Sequence, residues 1–152
     1  MKASVLRAVV GVAAVLSGLL VASPAQAADG PVSARVYYPS PSSGSGGLAS
    51  ANLDFVNRTT VVYRSLKVRD ICPGDNRPVF AQMTVLDTNG RLWYVGPAKR
   101  DNNGCGPDGT NFGNVTLTSG FVVARAALAV CVYNTSATLR CKTSVSRDNP
   151  YV

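Results

Sequence analysis

The chain has 152 residues, with 15 lysines and arginines against 8 acids, no histidine and a formal net charge of +7. Every acid is an aspartate, and glutamate is absent. A histidine-based hydrolase and a histidine-ligated zinc enzyme are thereby excluded, and acid–base chemistry would fall to a Ser–Lys pair or a pair of aspartates.

In chain order, Lys2 and Arg7 flank an apolar run from Ala8 to Val21, and Ala25-Gln26-Ala27 supplies the small-x-small pattern read by signal peptidase. The run is shorter than the roughly 20 residues a membrane-spanning helix needs. Residues 1–27 are expected to be a signal peptide, leaving 28–152 secreted and not inserted in a membrane. The remaining basic residues are scattered, without a run of five like charges, so no nucleic-acid groove is expected. Lys67 and Arg69 are expected to share a solvated strand face with Tyr63.

Val32, Ala34, Val36 and Tyr38 alternate with Ser33, Arg35 and Tyr37, the period of two that marks a strand. Pro39 to Gly47 is Pro, Ser and Gly alone, the composition of a flexible tether. Two readings stay open. The segment is either the domain's own first strand followed by a loose loop, or an arm (28–39) on a hinge (40–50). An arm would add itself to another protein's sheet edge, with Val32, Ala34, Arg35, Val36, Tyr37 and Tyr38 as its partner-binding residues. Structureless strand-to-strand loops of this length are uncommon in compact domains, which favours the arm.

Further strands are expected at Asn52–Val56, Val61–Arg69, Val79–Asp87, Arg91–Val95 and Asn114–Thr118. Asn89-Gly90 marks a tight hairpin turn in which both residues tolerate positive φ. Ala124–Val130 has helical propensity, but its Cys-Val-Tyr continuation reads as strand. It forms one arm of a last hairpin, Phe121–Val145. About seven or eight strands over residues 51–152 define an all-β domain, a two-sheet sandwich or a partly open barrel.

Cys72, Cys105, Cys131 and Cys141 all fall in the exported part, where oxidation is favoured. Cys131 and Cys141 sit symmetrically about Ser136, so a hairpin turning at Asn134–Ala137 would bring them face to face. That leaves Cys72 to pair with Cys105. The spacing contains no C-x-x-C pair and there is no histidine, which excludes a zinc site.

The remaining polar patterns carry little chemistry. Lys67, Lys99 and Lys142 lie outside any S-x-x-K context. Asp70, Asp75, Asp101 and Asp108 stand among glycine and asparagine, where aspartates usually bond neighbouring backbone N–H groups. A calcium loop through Asp101, Asn103 and Asp108 lacks the closing bidentate glutamate. Trp93 and Tyr94 suit a sugar platform, but Trp93 between Leu92 and Val95 reads as core. Asn57-Arg58-Thr59 matches a glycosylation acceptor. No metal, cofactor or catalytic residue is expected.

An export signal, a short arm Pro31–Tyr38, a Ser/Gly hinge and a two-disulfide β-domain ending Asp148-Asn-Pro-Tyr-Val152 resemble the small adaptor subunits of actinobacterial umbrella toxin particles. The resemblance implies a secreted structural subunit that joins a lectin-like subunit to a large toxin-bearing protein, for antagonism between bacteria. The rival expectation is a secreted inhibitor of a hydrolase. In that case Lys99-Arg100, in a loop braced by Cys105, would enter the acidic pocket of a trypsin-like protease.

Overall fold

The period-two runs of the sequence form strands, and most of their apolar members turn towards one shared core, with Tyr37, Leu92 and Tyr94 left exposed. The computed structural model describes residues 29–71, 77–133 and 138–152. Among these residues, ten strands form two antiparallel sheets. The first holds β1 (Gly30–Tyr37), β2 (Gly46–Phe55) and β3 (Thr60–Ile71), with β6 (Thr110–Asn111) and β7 (Val115–Thr118) end to end along the far edge of β3. The second holds β4 (Phe80–Asp87), β5 (Leu92–Arg100), β8 (Val123–Tyr133), β9 (Leu139–Thr143) and β10 (Arg147–Asp148). Its order is β10-β8-β4-β5, with β9 also on β8. The protein is an all-β sandwich.

The core is built from Val32 and Val36, Leu53 and Phe55, Tyr63, Leu66 and Val68, Met83 and Val85, and Leu128 and Val130. Each side chain of this size stabilises by about 1.5–3 kcal/mol when removed from water. Tyr63 pins the two layers together. It is fully buried, and its hydroxyl reaches across the core to donate to Thr84 O and Ala127 O, both at 3.0 Å. Burial pushes its phenol well above the ordinary tyrosine range. The Ala-rich segment expected to resist its helical propensity is β8, paired with β4 on one side and with β9 and β10 on the other. Burial overrides local propensity there.

Cys131 and Cys141 stand opposite each other in the β8–β9 register and are disulfide-bonded. Cys105 is also disulfide-bonded. Its expected partner Cys72 lies outside the described residues, as do Asp75 and the expected turn Asn134–Ala137.

Three local expectations are corrected. The leading strand is no leashed arm: β1 pairs along its whole length with β2, from Gly30↔Leu53 to Tyr37↔Gly46. The hinge is ordered by its serines. Ser45 is fully buried and donates to Tyr38 O, Ser43 Oγ donates to Ser40 O at 2.6 Å, and Arg35 Nη2 donates to Gly44 O at 2.8 Å. Gly46 and Gly47 are strand residues that lack side chains because there is no room for one. A Cβ on Gly46 would lie 2.1 Å from Val36 O, and one on Gly47 would lie 2.5 Å from a Val79 methyl.

Tyr63 does not share a face with Lys67. A β-bulge sets Ser65 at φ 52° and shifts the β2–β3 register between Ser50 and Asn52. The extra residue turns Tyr63 inward and leaves Lys67 in solvent. The hairpin at Asn89-Gly90 is also different in kind. Gly90 N donates to Asp87 O at 3.0 Å, and within the turn only Gly90 has positive φ, 76°. This is a type I turn closed by a glycine bulge.

Candidate functional site

β1 is an edge strand, bonded to β2 on one side only among the described residues. Its residues alternate in the direction of their main-chain groups. Tyr38 N donates to Ser45 O at 3.2 Å, which makes Tyr38, Val36, Ala34 and Val32 the members bonded to β2. Pro31, Ser33, Arg35 and Tyr37 therefore aim their main-chain groups away from the sheet. Pro31 O meets that expectation by accepting from Arg147 Nη2 at 3.0 Å. The Ser33, Arg35 and Tyr37 amides form an open row along the edge.

This row faces a seam. The β9/β10 edge of the second sheet lies beside β1, and two grooves run between them. One, of about 420 Å³, is lined by Pro31, Val32 and Ser33 against Val145, Ser146 and Arg147. The other, of about 340 Å³, lies between Arg35–Tyr37 and Arg140–Lys142 and is closed at one end by Pro39–Pro41. Val145 leaves 83% of its surface in water, and Tyr37 leaves 39%. Arg35 lies 4.7 Å over the Tyr37 ring, and Arg140 lies 5.8 Å over Tyr38. Lys142 and Arg147 complete a basic rim, and no acid lines either groove.

The six residues expected to bind a partner thus divide by role. Val32, Ala34 and Val36 are buried in the core, while Arg35 and Tyr37 are exposed and Tyr38 is half-buried beneath Arg140. The side chains expected to grip a partner are mostly used for folding. The main chain of the same strand stays available on one side.

The other sequence candidates fall apart from this edge. Asp101 is buried, with both carboxylate oxygens engaged: Oδ2 accepts from Asp70 N at 2.7 Å, and Oδ1 accepts from Thr110 Oγ1 at 2.7 Å and Asn103 N at 3.1 Å. It holds its loop in shape, as the turn reading expects, while Asp108 is exposed. Lys99 and Arg100 are not in a protruding loop. They end β5, in register with Ala81 and Phe80, and lie over the rings of Phe112 and Phe80. A protease needs an extended loop free to enter its cleft, so this placement removes the support for the inhibitor reading. Trp93 packs on Phe121 with ring centroids 5.1 Å apart and donates to Asp87 Oδ2 at 3.1 Å. The sugar platform therefore loses its tryptophan, and Tyr94 alone remains exposed. Asn57 Oδ1 accepts from Thr59 N at 2.9 Å, shaping the turn before β3.

The row of open amides and the Arg140–Lys142 rim were missed by sequence reasoning. Their signal is present but indirect: a first strand paired to the second, and a last hairpin that returns beside it. Also missed was Asn149, which is buried and donates to Asn57 O at 3.1 Å and Val123 O at 2.8 Å, fastening the C-terminal residues to β8.

No protein-family profile, curated protein or solved structure matches the chain. The described residues contain no helix long and apolar enough to cross a membrane.

Proposed function

We infer that this chain is a secreted, non-catalytic adaptor that docks to partner proteins, with β1 as its grip. The observation that carries the reading is the open main-chain edge of β1, whose Ser33, Arg35 and Tyr37 amides point away from β2. Strand addition to such an edge draws affinity from main-chain bonds and selectivity from flanking pockets. Proteins that avoid this use normally blunt a long edge with bulges, prolines or covering loops. The paired register from Gly30 to Tyr37 has no bulge, and its one proline is at Pro31. In the fuller form of this reading, the partners are a lectin-like subunit and a large toxin-bearing protein of an extracellular antibacterial complex.

The test is affinity purification of the tagged full-length protein from culture supernatant, with the companions identified by mass spectrometry. A parallel Ser33→Pro variant removes one outward N–H and no bond to β2, which an edge strand tolerates. Partners are expected with the wild type and not with a Ser33→Pro protein of unchanged melting temperature. Equal recovery with both would refute β1 as the grip, and a wild type that purifies alone would refute the adaptor.

A further inference from the structure

Resting on that docking reading, we propose that the occupant of the β1 seam is an acidic, extended peptide segment of a partner protein, added as a strand beside β1. Three observations meet at this place. The outward amides and carbonyls of Ser33, Arg35 and Tyr37 offer main-chain donors and acceptors on one side of β1, over a reach of about 13 Å at roughly 3.3 Å per residue. The two grooves flank the row, with Pro31–Ser33 and Val145 making one apolar pocket and Val36–Tyr37 and Pro39 making the other. The rim is charged in one sense only.

That charge has little internal compensation. The ion pairs Arg64–Asp54 and Arg125–Asp148 do not take up Arg35, Arg140 or Lys142. Most other carboxylates are occupied by backbone: Asp29 accepts from Phe55 N, Asp87 from Asn89 N and Arg91 N, and Asp101 from Asp70 N. Arg35, Arg140 and Lys142 thus keep their charge facing the seam with no carboxylate within ion-pair distance among the described residues. A second copy of the same edge would bring these cations together, so the charge argues against self-pairing. An alternating acidic–apolar strand would place its carboxylates beside Arg35, Arg140 and Lys142 and its apolar side chains in the pockets.

The probe is a fluorescein-labelled octapeptide of alternating Asp and Val, compared with Gln/Val and Lys/Val counterparts by anisotropy against the full-length secreted protein. The acidic peptide is expected to bind at least tenfold more tightly than the neutral one, with the basic one weakest. Raising salt from about 50 to 500 mM, which cuts the screening length severalfold, is expected to erase most of the difference. The triple variant Arg35→Gln, Arg140→Gln, Lys142→Gln is expected to lose tenfold or more for the acidic peptide and little for the neutral one. Ser33→Pro is expected to weaken both.

Equal affinity for acidic and neutral peptides, or an unaffected triple variant, would overturn the acidic specificity. So would a dimer in sedimentation that Ser33→Pro dissolves, because the occupant would then be a second copy. The two claims fail separately. Partners lost on Ser33→Pro but indifferent to the triple variant would leave docking intact and remove the acidic segment. A peptide that binds as expected in a protein that purifies alone would remove the adaptor and keep the seam.

Discussion

Replacing Tyr63 with Phe tests the packing logic most cleanly, because the ring is retained and only the hydroxyl is lost. The hydroxyl shares its single proton between Thr84 O and Ala127 O at 3.0 Å, joining β3 to both central strands of the opposite sheet. Its removal breaks a buried hydrogen bond and leaves two carbonyls short of a donor. The net value of such a bond is about 1 kcal/mol, and an unsatisfied buried group adds a further part of its desolvation cost, giving about 1–2 kcal/mol in all. For a domain of this size 1 kcal/mol corresponds to about 3–5 °C, so the melting temperature should fall by about 3–10 °C. Thermal unfolding followed by circular dichroism, with the disulfides kept oxidised, reads this directly. A Tyr63→Phe protein melting within 1 °C of wild type would refute the view that the hydroxyl ties the sheets together.

Other substitutions probe single features. Thr84 is fully buried with an unpartnered hydroxyl among the described residues, so the isosteric Thr84→Val should stabilise by about 1 kcal/mol. A lower urea midpoint would contradict that. At Ser65, with φ 52°, a β-branched residue is strained, so Ser65→Val should cost about 1–2 kcal/mol while Ser65→Gly costs almost nothing. Equal stability of the two variants would mean the bulge relaxes. Asp87 is held below the ordinary carboxylate range, first by the Arg91 backbone N–H and also by the Trp93 indole, the Asn89 N–H and the Arg91 charge. A lowered folded-state value stabilises the fold above the unfolded-state pKa, about 3.9, and that contribution fades as pH falls through the folded value. An NMR titration should place the Asp87 midpoint below about 3.9, and a midpoint at or above it would contradict the hydrogen-bond account.

The parts of the fold legible in the sequence were those governed by local periodicity. Val32–Tyr38, Val61–Arg69 and Val79–Asp87 were readable as strands because apolar residues alternate, and the symmetry of Cys131 and Cys141 about one turn fixed the register of the last hairpin. The Ser/Gly segment misled because composition alone does not distinguish a tether from a tight connection. Its serines bond backbone groups of Tyr38 and Ser40, and its glycines permit approach to Val36 and Val79. The bulge at Ser65 left a trace, since the apolar phase of Val61 and Tyr63 resumes one step late at Leu66 and Val68. The candidate site was the least legible part. A basic seam between β1 and the β9/β10 edge depends on which sheet edges lie together, and that is a long-range outcome of topology.

Residue-resolved amide exchange on the complex recovered from culture supernatant tests the docking edge most directly. In the free protein, the amides of Val32, Ala34 and Val36 should be protected by β2 while those of Ser33, Arg35 and Tyr37 exchange rapidly. In the partner-bound protein, Ser33, Arg35 and Tyr37 should slow at least tenfold while the first set is unchanged. Rapid exchange at these three positions in an intact complex would contradict the account, because the partner would then be held elsewhere.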